Sequence, residues 1–196
     1  MADRRIVVYI ATSADGFIAR KDGGIDWLDR PHPKGSYGMG EFFTSIDTIL
    51  WGRRTFDEAV ARGGVGGPGN FSAKTKNYVF THTPPEKPVN GVEFVQEPVA
   101  AFASRLRAQP GKDIWIMGGG GVIASFLDAG EVDDFIIHVI PTFIGEGVPL
   151  IAPARRSVPL RLESSNAYED GVVRLHYTAR GVMSESRTTG RKRRRA

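Results

Sequence analysis

The sequence predicts an α/β fold of three layers, α/β/α, with a mixed, mostly parallel central sheet and a C-terminal antiparallel hairpin. Three observations predict it. Short runs such as IVVYIA at 6–11 and DFIIHVI at 134–140 are almost wholly apolar instead of alternating, as strands covered on both faces are. These runs alternate along the chain with segments of helical character, the order that builds a layered sheet. Two last runs, around 161–167 and 172–179, are separated by Glu169, Asp170 and Gly171, a turn that closes an antiparallel pair.

The elements follow in order. The first strand, 6–11, is bounded by the polar turn 12–16, and a loop rich in Gly, Pro and charge then runs from 20 to about 36, carrying Trp27 and the Pro31-His32-Pro33 break. A short helix is expected over 40–45 and a strand over 48–51, which Gly52 ends. Residues 53–62 read as helix and the glycine-rich 63–69 as a flexible loop. Strands are expected at 77–80 and 92–95, then an amphipathic helix over 99–109 stopped by Pro110-Gly111. A strand at 114–117 runs into Gly118–Gly121 and a helix over about 122–128, and Pro141 stops the strand at 134–140.

The chain has 196 residues, the size of one domain, and shows no internal repeat. We expect that domain over 1–183. Residues 184–196 hold six of the 26 basic residues and one of the 22 acids, which leaves 20 basic against 21 acidic elsewhere, a formal charge of −1. The net charge of +4 therefore belongs to a tail without the apolar residues needed to order it, and we read the tail as a disordered appendage. This argues against nucleic acid as a partner. No apolar run approaches the length of a membrane span, so a soluble, cytoplasmic protein is expected. Without cysteine there are no disulfides, thiolate nucleophiles or sulfur-ligated zinc, and no two of His32, His82, His138 and His176 have metal-ligand spacing. No metal is expected.

Three strand ends carry the chemistry. At Gly118–Gly121, backbone N–H groups at a helix start, beside residues without a Cβ, let a pyrophosphate meet the positive end of a helix dipole. The usual dinucleotide fingerprint wants a third glycine where Ile123 stands, so a Rossmann domain is disfavoured, and no Gly-Lys-Ser or Gly-Lys-Thr follows to make a P-loop. A tight packing turn is the plainer alternative. Gly52, Arg53, Arg54 and Thr55 stand at a second strand end, where two guanidiniums and a hydroxyl suit a phosphate monoester such as NADPH carries and NADH lacks; a solvated charged turn is the alternative. Thr81 and His82 at a third strand end can reach the same phosphate, though such residues are commonplace there.

Four pieces in this order resemble the dihydrofolate reductase superfamily. They are SADGFIA at 13–19, ILWGRRTF at 49–56, IWIMGGGG at 114–121 and PTFIGEGVPL at 141–150. The last is similar to the reductase domain at the C-terminus of the riboflavin-biosynthesis deaminase-reductase, RibD, and its stand-alone bacterial relatives. The resemblance spans about 4–180 and implies a dihydrofolate-reductase-like fold and hydride transfer from NADPH to an imine or carbonyl of a small heterocycle, a ribosylaminopyrimidine phosphate in the riboflavin branch. It implies that Ala11 and Ile18 flank the nicotinamide, and that Gly52, Arg53 and Thr55 contact phosphate, with Arg54 added by its charge alone. Thr81 and His82 would meet the adenosine 2′-phosphate, and Met117, Gly118, Gly119, Gly120 and Gly121 would pass beside nicotinamide and pyrophosphate, followed by Val122 and Ile123.

The departure is on the substrate side. Folate reductases place an acid where an ungapped match puts Ser36, the nearest acids being Asp26, Asp29 and Glu41, which argues against dihydrofolate reduction. Asp15 matches an aspartate of the riboflavin branch and, with Glu41 or water, is a candidate proton source; its alternative is an Asp-Gly turn. Trp27, Tyr37 and Phe42 offer walls for a ring substrate, or ordinary core, and Lys34, Arg155 and Arg156 are candidate partners of a substrate phosphate. The deaminase half needs zinc and cysteine, so only the reductive step is expected. Relatives of this branch form dimers, so a homodimer is expected. A non-catalytic nucleotide- or nucleic-acid-binding protein is the reading from another class.

Overall fold

A computed structural model of the chain describes residues 4–30, 36–62 and 75–179. Its first strand, Ile6–Ser13 (β1), shows how the sequence builds the sheet: Ile6 and Val8 pack in one helical layer and Val7 and Tyr9 in the other, the period-two alternation of a strand covered twice. The remaining strands are Phe17–Ala19 (β2), Ile46–Gly52 (β3), Lys76–Phe80 (β4), Val92–Val95 (β5), Asp113–Gly118 (β6), Asp134–Ile140 (β7), Val148–Pro149 (β8), Arg161–Ala167 (β9) and Val173–Thr178 (β10). The helices are Met39–Ser45 (α1), Arg53–Ala61 (α2), Val99–Arg107 (α3) and Gly120–Asp128 (α4).

The main sheet has the order β5-β4-β3-β6-β1-β7-β10-β9. The first six strands run parallel, β10 pairs antiparallel with β7, and β9 pairs antiparallel with β10. Gly171, with φ +86°, makes the hairpin turn. Helices α1 and α2 cover one face through Phe42 and Phe56, packed with Val7, Tyr9, Ile49, Trp51 and Trp115. Helices α3 and α4 cover the other through Phe102, Leu106, Ile123 and Phe126 against Val8, Leu50 and Ile116. The three-layer, mostly parallel architecture is the one the sequence predicts.

Two local features differ from expectation. Helix α4 starts at Gly120, two residues early, so half of the glycine run is already helical. A second sheet of β2 and β8 was not anticipated, because three and two residues, one of them proline, carry no readable period. The flexible loop read at 63–69, the Pro31–Pro33 break and the tail at 184–196 lie outside the described residues. Among the described residues no helix is long and apolar enough to cross a membrane.

Candidate functional site

The parallel strands deliver their carboxyl ends to one cleft of about 970 Å³. Ile10 and Ala11 of β1, Gly52 of β3, Phe80 of β4, Val95 of β5 and Met117 and Gly118 of β6 all line it. Open α/β sheets bind ligands at this edge, where the order of strands reverses between neighbours.

Close packing explains the glycines. A Cβ on Gly119 would sit 2.9 Å from Thr55 Oγ1, one on Gly52 would sit 3.2 Å from the Gly119 nitrogen, and one on Gly120 would overlap the Pro149 carbonyl oxygen. The two strand-to-helix turns, β3–α2 and β6–α4, are thus pressed together with no room for side chains. Gly118 adopts φ +137°, a conformation that excludes other residues. Gly52 and Gly119 are the N-caps of α2 and α4, and neither helix has a side-chain cap. The first-turn N–H groups of two helices therefore face one cleft without an acceptor side chain, and both dipoles favour an anion there.

Arginines line the rim. The Arg53 Nε donates to both oxygens of Asp57 at 2.9 and 2.8 Å, its Nη1 donates to the Thr83 carbonyl at 3.1 Å, and its guanidinium lies 5.8 Å from the centre of the Phe94 ring. Arg54 Nη2 donates to the Lys21 carbonyl at 2.8 Å, and Arg62 Nη2 to the Gly23 carbonyl at 2.5 Å, which ties the loop after β2 to the cleft side of α2. Thr81 and His82 stand at the end of β4, with the His82 carbonyl accepting from Gln96 Nε2 at 2.9 Å. Ala11, Ile18, Gly52, Arg53, Arg54, Thr55, Thr81, His82, Met117, Gly118, Gly119, Gly120, Gly121 and Val122 all line the cleft. Ile123 does not: one residue is 100° of helix, which turns it away into the core between α4 and the sheet. Glu58 on α2, Arg62 at its C-cap, Gln96 and Pro98 after β5, and Val148 also line the cleft and were missed. The helical spacing of Glu58 and Arg62 from Arg54 is the one signal that pointed to two of them.

The substrate-side candidates lie elsewhere. The Asp15 carboxylate accepts from Ser13 Oγ at 2.6 Å and from the amides of Ile144 and Gly145 at 3.2 and 2.7 Å. It clasps the 13–17 turn to the 141–150 segment, and the Ser13 bond, helped by the two amides against partial desolvation, holds its pKa below the usual carboxylate value. An ionised, triply bonded carboxylate is a loop clasp with no proton to give at neutral pH. Glu41 is exposed on the first turn of α1 and does not line the cleft. Trp27 and Tyr37 are buried with Ile140 and Val172, and Phe42 stacks on Tyr9 at 4.2 Å between ring centres, so these aromatics are core. Arg156 makes a paired contact with Asp128 at 2.7 and 2.8 Å, Arg155 is exposed, and Lys34 lies outside the described residues.

The model of the RibD C-terminal domain family matches residues 4–174. The uncharacterized protein YwjB of Bacillus subtilis (strain 168) is 37% identical over 176 residues, 89% of this chain and 98% of that protein. YyaP of the same strain is 32% identical over 188 residues, 90% of this chain and 96% of that one. Among solved structures, a Shewanella sp. PV-4 protein provisionally assigned to riboflavin biosynthesis superposes with a TM-score of 0.77 at 27% identity, covering 89% of this chain and 98% of that one. The Thermotoga maritima diaminohydroxyphosphoribosylaminopyrimidine deaminase/5-amino-6-(5-phosphoribosylamino)uracil reductase gives 0.66 at 16% identity over 90% of this chain and 57% of its own, a likeness of fold. Dihydrofolate reductase of Enterococcus faecalis, complexed with NADP(H), shares that fold, with a TM-score of 0.63 at 16% identity over 89% of this chain and 95% of that one.

Proposed function

Because this chain belongs to the RibD C-terminal domain family, we propose that it is an NADPH-dependent reductase acting on a small heterocycle of the 5-amino-6-(5-phosphoribosylamino)uracil class. One observation carries the reading: two helix N-termini without side-chain caps and the guanidiniums of Arg53, Arg54 and Arg62 converge on a single cleft at the carboxyl edge of a parallel sheet. A dinucleotide needs those features, a cradle without Cβ atoms for the pyrophosphate and permanently charged donors for a ribose phosphate. NADPH would supply the hydride. Ala11, Ile18 and Met117 would flank its nicotinamide, Gly118–Val122 would hold the pyrophosphate, and Arg53, Thr81 and His82 would receive the 2′-phosphate.

The chain's own work is orientation and exclusion of water. The 20–25 loop, pinned to α2 by Arg54 and Arg62, lines the cleft through Gly23 and Ile25. With Asp15 held ionised and Glu41 exposed, the proton that completes the reduction comes from solvent water. A homodimer acting in the cytoplasm completes the proposal. Calorimetric titration with NADPH and NADH tests it: NADPH should bind more tightly, and Arg53→Ala should erase at least about tenfold of that preference, the worth of a charge-assisted bond. Oxidation of NADPH by the aminopyrimidine phosphate should follow. If neither nucleotide binds, the reading falls.

A further inference from the structure

A polar cluster on the α1 face of the sheet is not accounted for by cofactor binding. Ala11, His138 and Arg174 are register partners across β1, β7 and β10, so their side chains project from the same face in one row, and Ala11 at the end of that row lines the cleft. His138 is 4% exposed, with its ring 4.8 Å from that of Tyr9 and 5.8 Å from that of Tyr37. The Tyr37 carbonyl accepts from the hydroxyls of Tyr9 and Tyr168 at 3.3 and 3.5 Å.

Arg174 stands out in this row. Its Nε is buried and has no hydrogen-bond partner, and among the described residues no carboxylate forms an ion pair with it. The acids of the preceding turn and of the paired strand, Asp170 and Asp134, are already engaged. Asp170 accepts from the Tyr37 hydroxyl and pairs with Arg30, and Asp134 pairs with Arg5 and His176. Burial pushes the His138 pKa below its ordinary value, so the imidazole is neutral near pH 7 and no second cation competes. The indole Nε1 of Trp27, which packs with Tyr37 and Ala11, is a second buried donor without a partner. A partly buried guanidinium without a counter-ion, in the same layer as another orphan donor, is a poor structural arrangement and a good anion receptor.

We propose that Arg174 receives the anionic group of the substrate, a phosphate monoester or carboxylate, with His138 and Tyr9 between it and the reacting ring beside Ala11. The proposal rests on the reductase reading for the position of that ring, but anion binding at Arg174 does not. The test follows the His138 imidazole NMR signals while the full chain, with and without NADPH, is titrated with ribose 5-phosphate and with ribose. Ribose 5-phosphate should shift them saturably and ribose should not. Arg174→Gln should weaken the response at least about tenfold, and Arg174→Lys should retain part of it. Signals in the wild-type chain that do not respond to ribose 5-phosphate overturn the proposal, as does a response equal in Arg174→Gln. A response without NADPH binding keeps this site and removes only the reductase reading.

Discussion

At the scale of single residues, the glycines of the β6–α4 turn are unequal although the sequence presents them as one run. A Cβ at Gly120 would meet the rigid Pro149 carbonyl, whereas one at Gly121 would meet nothing within 4 Å. We predict that Gly120→Ala costs about 1–3 kcal/mol through forced displacement of the 148–152 segment. Gly121→Ala should stay within about 0.5 kcal/mol of wild type or gain slightly from helix propensity. Urea unfolding of both variants checks this, and equal midpoints would contradict the packing argument. His138 makes a second prediction. Burial, its largest influence, lowers its pKa below 6.5, and the backbone carbonyls of Tyr37 and Ile10 only partly oppose this. The unfolded chain therefore takes up a proton that the folded chain refuses. Stability is full above 6.5 and declines as pH falls from 6.5 through the depressed folded value. The carboxylates with lowered pKa, among them Asp15 and Asp170, act in the same direction but at more acidic pH. Denaturation midpoints measured between about pH 7.5 and 5.5 should fall in the wild type and flatten in His138→Gln.

At the scale of elements, the amino edge of the sheet is fixed by ions where the carboxyl edge is left open for ligand. Asp133 pairs with Arg107 at 2.7 Å and accepts from the Ile6 amide at 2.7 Å, joining α3, β1 and the start of β7. Both side chains are under 10% exposed, and Arg107 keeps the Glu131 carboxylate at 3.3 Å, so Asp133→Ala removes one of two carboxylates and orphans the Ile6 amide; it should cost about 1–3 kcal/mol, read as a lower urea midpoint at constant slope. A loss below about 0.5 kcal/mol would show that Glu131 alone, or water, replaces the Asp133 carboxylate. The same contrast explains what was legible in the sequence. Apolar runs such as 6–11 and 134–140 declare buried strands because burial on both faces selects their composition. Glycine and arginine at strand ends declare the cleft because close approach and fixed charge select them. What stayed hidden depends on distant partners: β2 and β8 exist by pairing across about 130 residues, Asp15 is a clasp because Ile144 and Gly145 reach it, and Trp27 and Tyr37 are core because Ile140 and Val172 cover them. Ile123 was misjudged for a local reason, since adjacent helical residues point 100° apart.

At the scale of the whole molecule, the sheet ends asymmetrically. Strand β9 is exposed along all seven residues, with Leu162 at 52%, and as the last strand it presents an unpaired edge. Such an edge invites pairing unless it is short, charged or covered. Arg161 and Glu163 place charges on it, but they pair with each other at 2.8 Å and so do little to repel a second strand. Leu160, at 40% exposure, adds apolar surface just before the strand. A second copy of the chain covering this edge is the arrangement that fits the proposed homodimer. Light scattering should then give twice the 21.4 kDa of one chain throughout the micromolar range. Leu162→Glu should raise the dimer dissociation constant at least about tenfold, because a charge replaces apolar area at the centre of the contact. NADPH affinity should not change, since Leu162 does not line the cleft. A wild-type chain that remains at the mass of one copy would mean that the charges on β9 suffice to protect the edge, and would remove the homodimer from the proposal.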